Sequence, residues 1–147
     1  LNDIYGNIDA GQDTLLVGLD LSAALDTIEH SVLLTRLERS FGIGGPILEW
    51  IQSYLKDRTQ FVHLGTANSG DTNCHCGVPQ GSVLGPLLFV AYISPTASLA
   101  GNFGVGHHQY ADDTQVYVAL SRETVNTNVA NLIDWRRCIN GSVKTAW

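Results

Sequence analysis

The segment from residue 108 to 118 carries the feature that most constrains the fold of this chain. Two short runs with strand character, HQYA at 108–111 and QVYV at 115–118, flank the pair Asp112-Asp113, and the second is rich in aromatic and β-branched residues. Such runs favour β-strands, and aspartate is common in tight turns because it tolerates left-handed backbone conformations. The pattern predicts a β-hairpin with its turn at Asp112-Asp113. Turn formation alone would account for both aspartates.

A third aspartate follows another predicted strand. The apolar run LLVGL at 15–19 leads directly to Asp20. A carboxylate in this place can simply reach solvent, and the spacing alone does not show that Asp20 and Asp112 meet. Three neighbouring carboxylates would repel one another unless a divalent cation neutralised them. Mg²⁺ suits such a cluster because it binds few carboxylates together with waters and substrate phosphate oxygens.

The remaining pattern indicates an α+β fold. Apolar spacing predicts helices at 28–41 and 46–55, the first ending at Gly42 and the second beginning at Pro46. Further along the chain we expect a strand at 60–64, turns at 65–71 and a Gly/Pro-dense loop at 76–86. We then expect a helix at 87–93, a second loop at 94–106, the hairpin at 108–118 and a final helix at 122–138. The order β-α-α-β-α-ββ-α mixes helices with mainly antiparallel strands.

Composition limits the classes of function. The chain has 147 residues with 44% hydrophobic content, a size expected for one domain or a part of one. Its net charge is −6, so any nucleic-acid partner would need basic contacts from elsewhere. No uninterrupted apolar stretch approaches the roughly 20 residues of a membrane span, and no membrane partner is expected. Three cysteines predict no disulfide framework, and the lack of Met suggests an excerpt.

Three long segments together resemble one known family. LVGLDLSAALDTIEH, GVPQGSVLGPLLFVAYI and YADDTQVYV are similar, in order and spacing, to motifs of the reverse transcriptases of non-LTR (LINE-type) retrotransposons. The connecting stretches SFGIGGPILEWIQSYLKDRTQFV and LIDWRRCINGSVKTAW fit as well. The resemblance implies a right-hand polymerase palm, an antiparallel sheet backed by helices, with part of the fingers and without the thumb. Residues 1–147 would form one partial reverse transcriptase domain.

The resemblance also implies a reaction and its metal site. The expected activity is RNA-directed DNA polymerisation, in which deoxynucleoside triphosphates are added to a primer 3′ end on an RNA template. Asp20 and Asp112 would hold two Mg²⁺ ions, or Mn²⁺, with Asp113 beside them on the turn and the Leu21 backbone near metal and triphosphate. The missing fingers and thumb of a parent protein would be partners, and a nuclear or cytoplasmic location would follow.

The nucleotide pocket is implied in the same way. Gln80 and Gly81 would line it, although Pro-Gln-Gly is also an ordinary turn sequence. Leu25 stands where the family usually has Phe or Tyr, a ring that excludes a ribose 2′ hydroxyl, so weaker exclusion of ribonucleotides is expected. Lys144 falls where the family has a lysine that could sit near the leaving phosphate; a solvated surface lysine is an equal alternative.

Other interpretations stay open. The chain could be an inactive retrotransposon remnant, or clustered carboxylates could serve a two-metal nuclease. Zinc binding by Cys74-His75-Cys76 is disfavoured because adjacent ligands do not easily close one tetrahedral site. Ser82 lacks the Gly-x-Ser-x-Gly surroundings of a serine hydrolase. Trp50 and Tyr54 are expected to pack in the core, and His107-His108 to lie on a surface.

Overall fold

The computed structural model describes residues 2–19, 23–111 and 113–144, with side chains as far as residue 139. Within these residues the chain forms α1 (Asn2–Asp9), β1 (Asp13–Leu19), α2 (His30–Phe41), α3 (Gly45–Leu55), β2 (Arg58–Gln60), β3 (His63–Leu64), β4 (Ala67–Asn68), β5 (Thr72–Cys74), α4 (Leu84–Ile93), α5 (Pro95–Asn102), β6 (Gly106–Tyr110), β7 (Asp113–Leu120) and α6 (Val125–Lys144). All strand pairs among them are antiparallel, which confirms the predicted α+β class. The chain divides into two compact units, one built mainly from Leu1–Ser22 with Ile93–Thr145 and the other from Ala23–Tyr92.

The first unit contains a three-stranded sheet in the order β1-β7-β6. The predicted hairpin is confirmed, but Asp113 belongs to a strand and not to the turn. It is the first residue of β7 and pairs with Tyr110. Ala111 has φ +54°, the left-handed conformation that two-residue hairpin turns require at their first position. A non-glycine residue adopts it at a cost of about 1–2 kcal/mol.

One face of this sheet is covered and the other is open. Alternate residues of β7, including Val116 and Val118, pack into a core with Ala100, Val105 and Trp135. Trp135 is 1% exposed, and its indole N–H donates to the carbonyl of Thr96 at 3.5 Å. Because strand side chains alternate between faces, the residues between these core positions point to the open side.

The second unit combines α2, α3 and most of α4 with two short hairpins, β2–β5 and β3–β4. Glu29 caps α2 by accepting hydrogen bonds from the backbone N–H groups of Ser31 and Val32 at 3.2 and 3.1 Å. Burial alone would raise the pKa of Glu29, but the hydrogen bond from the Ser31 hydroxyl, together with these two backbone bonds, lowers it. The buried apolar residues of this unit are Ile28, Leu33, Leu37, Ile51, Leu55, Val78, Leu88, Phe89, Ala91 and Tyr92.

A close backbone contact joins two distant segments of the second unit. The Gly77 N–H donates to the Ile28 carbonyl at 2.7 Å, and the Val78 N–H donates to the Leu25 carbonyl at 2.8 Å. Gly77 has φ +82°, and a Cβ at this position would lie 2.8 Å from the carbonyl oxygen of Asp26. Only glycine permits both this conformation and this approach. The contact therefore fixes the turn after β1 against the Gly/Pro-dense loop.

Several sequence expectations need correction. The stretch 94–106 is not all loop, because α5 occupies Pro95–Asn102 with proline in its first turn, where proline favours helix initiation. The expected strand at 60–64 is divided between β2 and β3. Trp50 is 57% exposed and stacks on Tyr54 with ring centroids 6.3 Å apart, so its predicted core position is wrong.

One apolar segment has the composition of a membrane span. Among the described residues, Leu84–Asn102 is the one helical stretch long and apolar enough to cross a membrane by length and composition, and 44% of it is buried inside the structure. The sequence criterion of an uninterrupted apolar run predicts no span here, because polar residues such as Ser94 and Ser98 interrupt the run. These residues do not lower the mean hydropathy of the segment below that of a span. Core helices of soluble proteins share these properties.

The Gly77 contact predicts a position-specific cost of substitution. We expect Gly77→Ala to lower the free energy of unfolding by about 2–4 kcal/mol, since left-handed strain and a backbone clash add together. Gly65→Ala is the matched control in the same unit, with φ +62° and open space around its Cβ position. Gly65→Ala should lower the free energy of unfolding by about 1–2 kcal/mol, the cost of the left-handed conformation alone. Urea unfolding followed by circular dichroism measures both, and equal losses would contradict the proposed clash.

Candidate functional site

Of the three predicted catalytic aspartates, Asp113 is the one that lies within the described residues, at one end of the sheet in the first unit. Asp113 is exposed and begins β7. Asp20, Leu21 and Asp112 lie outside the residues that the structure describes. Their neighbours are described: Leu19, the last residue of β1, is the register partner of Thr114. The pairing therefore brings the first part of the first motif, at the end of β1, beside the hairpin of the third.

The open face of the same sheet carries a polar cluster that sequence reasoning missed. The Tyr117 hydroxyl donates to Asp3 Oδ2 at 2.5 Å, and His108 Nε2 lies 3.4 Å from the same oxygen. His108 also stacks on the Tyr117 ring, with centroids 5.3 Å apart. The bond to Asp3 raises the pKa of Tyr117 to about 12, and the bond from Tyr117 is the main reason that the pKa of Asp3 is lowered. The cluster attaches α1 to the sheet.

The second unit contains a cleft of about 640 Å³ that includes one predicted nucleotide-pocket residue, Gln80. Its described lining consists of Asp26, Arg58, Thr59, Gln60, Asn73, Cys74, His75, Cys76, Gly77, Val78, Pro79 and Gln80. The Gln80 amide Nε2 donates to both carboxylate oxygens of Asp26, each at 3.0 Å. The cleft thus combines a cationic side chain with amide, hydroxyl and carboxylate groups.

The other predicted pocket residues have different surroundings. Leu25 is half-buried and contributes its carbonyl to the bond with Val78, but it is not among the residues that line the cleft. Gly81 has φ +75° with open space around its Cβ position. Lys144 ends α6, and its side chain lies outside the described part of the chain. Leu25, Gln80 and Gly81 belong to the second unit and Asp113 to the first.

The structure also describes the cysteines, histidines and serine that the sequence analysis weighed for zinc binding, surface exposure and hydrolysis. Among the residues that the structure describes, no three His, Cys, Asp or Glu side chains form a group that could hold a metal ion. Cys74 is half-buried and Cys76 is exposed, both as free thiols. His107 and His108 lie in β6, where burial is the main cause of the lowered pKa of His107. The Ser82 hydroxyl donates to the Pro79 carbonyl at 2.7 Å and stabilises the loop before α4.

Sequence reasoning did not identify Asp26, Arg58 or Asp3 as site residues. Asp26 and Gln80 are 54 positions apart, and their contact follows from tertiary structure rather than from any local pattern. A local signal existed for the loop itself, because glycines at 77 and 81 in a Pro-containing segment indicate unusual backbone conformations. Asp3 lies in α1, which the sequence analysis left unassigned.

Comparison with known proteins identifies relatives of the chain. A family model described as reverse transcriptase (RNA-dependent DNA polymerase) matches residues 4–145. The chain is 35% identical over 102 residues to the probable RNA-directed DNA polymerase from transposon X-element of Drosophila melanogaster, an alignment that covers 67% of this chain and 11% of that protein. The RNA-directed DNA polymerase from mobile element jockey, also of Drosophila melanogaster, is 33% identical over 103 residues, with the same coverage of both chains.

A third relative comes from a different insect. The retrovirus-related Pol polyprotein from type-1 retrotransposable element R2 of Popillia japonica is 33% identical over 79 residues, 54% of this chain and 13% of that protein. The chain thus spans only 11% to 13% of the length of these three relatives. The family model, by contrast, matches nearly all of the chain and extends across both units. The resemblance noted in the sequence is confirmed, and the chain belongs to the reverse transcriptase (RNA-dependent DNA polymerase) family.

Proposed function

We propose that this chain forms the palm, with part of the fingers, of a polymerase that copies RNA into DNA. The reaction adds deoxynucleoside triphosphates to the 3′ end of a primer. The observation that carries the proposal is the register of β1 with β7, in which Leu19 is opposite Thr114. Two motifs whose paired residues are more than 90 positions apart in the sequence, each with an aspartate next to a paired residue, therefore meet at one end of the sheet.

The carboxylate ligands at this end of the sheet fit a magnesium site. Asp113 offers an exposed carboxylate, and carboxylate oxygen is a ligand that Mg²⁺ prefers. Asp20 directly follows Leu19 in the sequence and Asp113 directly precedes Thr114, and Leu19 and Thr114 are register partners. Asp112, between Ala111 and Asp113, would complete the carboxylate set, and the Leu21 backbone would contribute beside it.

In this proposal the residues of the chain bind and orient the reactants. Asp20 and Asp112 would hold two metal ions, which supply activation of the primer hydroxyl and stabilisation of the leaving pyrophosphate. Gln80 and Gly81 hold the incoming nucleotide, and glycine at 81 lets the backbone approach it closely. Lys144 would offer a positive charge to the leaving phosphate. Positioning of the two reactants supplies much of the rate enhancement.

The proposal includes partners beyond the chain. A net charge of −6 gives this segment little attraction for phosphate backbones. We therefore infer that basic segments of a longer polypeptide, the remaining fingers and the thumb, contribute the contacts to RNA template and DNA primer. Dependence of primer extension on salt concentration would then arise mainly outside residues 1–147.

Replacement of a catalytic carboxylate tests the proposed reaction. Asp112→Asn should reduce primer extension on an RNA template by about a thousandfold or more, because a metal ligand is lost at the reacting centre. The assay uses the polypeptide encoded by the reading frame that contains this chain. Circular dichroism should show the fold retained, since the substitution relieves repulsion between carboxylates.

The matched control removes an equal charge elsewhere. Asp71→Asn lies in an exposed loop of the second unit and should leave extension within about twofold of the parent. Extension by Asp112→Asn at the parent rate would contradict the catalytic assignment. A parent polypeptide that extends no primer would favour the inactive remnant, and metal-dependent strand cleavage without nucleotide addition would favour the nuclease.

Leu25 predicts a measurable difference in sugar selection. A larger aromatic ring at this position should clash with a ribose 2′ hydroxyl, so Leu25→Phe should raise the preference for dNTPs over rNTPs by about tenfold or more. The ratio of kcat/KM values for the two sugars measures this preference. Leu25→Met, which keeps the volume but adds no ring, should leave the ratio unchanged. Equal ratios in the parent and the Phe variant would contradict the role of Leu25.

A further inference from the structure

We infer that Asp26 is a positioning residue that sets the orientation of the Gln80 amide for the incoming nucleotide. The inference rests on the proposed function, in which Gln80 contacts that nucleotide. Both oxygens of Asp26 lie 3.0 Å from Gln80 Nε2. An amide oxygen facing a carboxylate would be repelled, so the NH₂ group must be the one that faces Asp26. The Asp26 carboxylate thus selects one of the two possible amide orientations.

This orientation has a direct chemical consequence. The two carboxylate oxygens subtend a narrow angle at Nε2, so the contacts to Asp26 occupy one N–H bond and leave Oε1 and the second N–H available. Among the described residues, no donor forms a hydrogen bond to Oε1. Asp26 therefore determines which end of the Gln80 amide faces away from it, and Oε1 is the acceptor that the amide offers in this orientation.

The surroundings of Asp26 show why an exposed side chain can hold this orientation. The close approach of Gly77 restrains the Asp26 backbone, because a Cβ at position 77 would lie 2.8 Å from the Asp26 carbonyl oxygen. Two backbone hydrogen bonds on either side, from Val78 to Leu25 and from Gly77 to Ile28, hold the same segment. His30 Nε2 lies 2.7 Å from the Gly77 carbonyl oxygen. Gln80 and Asp26 thus belong to two backbone segments that hydrogen bonds hold together, which limits the entropy lost when the Gln80 amide is ordered.

The first test needs no nucleotide. In the ¹⁵N-labelled 147-residue chain, Asp26→Ala should shift the side-chain NH₂ signals of Gln80, because the carboxylate that contacts Nε2 is removed. Asp71→Ala, which removes an exposed carboxylate outside the cleft, should leave these signals unchanged. Gln80 signals that are unaffected by Asp26→Ala would overturn the inference.

The second test measures whether Asp26 acts through Gln80. Titration of the chain with dTTP and Mg²⁺ gives a dissociation constant that Asp26→Ala should raise by about 3–10-fold, since the free amide then populates several rotamers. Asp26→Asn, which keeps one acceptor oxygen, should have a smaller effect of about twofold. In a Gln80→Ala background the Asp26→Ala effect should fall below about twofold, because coupled residues are non-additive.

The outcomes separate this inference from the proposed function. An equal loss from Asp26→Ala in both backgrounds would show that Asp26 does not act through Gln80, and would overturn the inference while leaving nucleotide binding intact. Failure of the unsubstituted chain to bind dTTP would contradict the proposed function and the nucleotide part of the inference. The NMR test would then still decide whether Asp26 orients the Gln80 amide.

Discussion

Antiparallel pairing between β1 and β7 is the interaction on which the account of this chain depends. It joins the first and third sequence motifs in a register that runs from Asp13↔Leu120 to Leu19↔Thr114. The register cannot slip by one residue without moving Val116 and Val118 from the core to the open face. Burial of apolar side chains against α5 and α6 thus also determines which residues of the strands reach the proposed metal site.

The second unit depends on a constraint of a different kind. Gly77 combines a left-handed backbone with direct approach to the Asp26 backbone, and this contact holds the loop of the second motif against a turn within the first. The Asp26–Gln80 pair stands on that contact. Backbone packing, rather than the exposed hydrogen bond itself, holds the two residues in place, because an exposed hydrogen bond competes with water and contributes little free energy alone.

Much of the fold could be predicted from local patterns. The α3 helix and the β6–β7 hairpin have strong apolar or aromatic periodicity and a clear glycine, proline or aspartate signal at their ends. The α5 helix could not, because its small and polar residues resemble a loop and its formation depends on packing around Ala100. The exposure of Trp50 and the contact between Asp26 and Gln80 were equally hidden, since both arise from tertiary structure. The roles of Asp20, Asp112 and Asp113 come from the family resemblance and remain predictions.

The location of the metal site tests the central claim most directly. Mn²⁺ can stand in for Mg²⁺, and its unpaired electrons broaden the NMR signals of nearby amides in the ¹⁵N-labelled chain. If the aspartates form this site, low Mn²⁺ concentrations should first broaden the amides of Leu19, Asp113 and Thr114, and Asp20→Asn should remove this effect. Broadening centred on His107 and His108, or on Cys74 to Cys76, with the end of β1 unaffected, would contradict it.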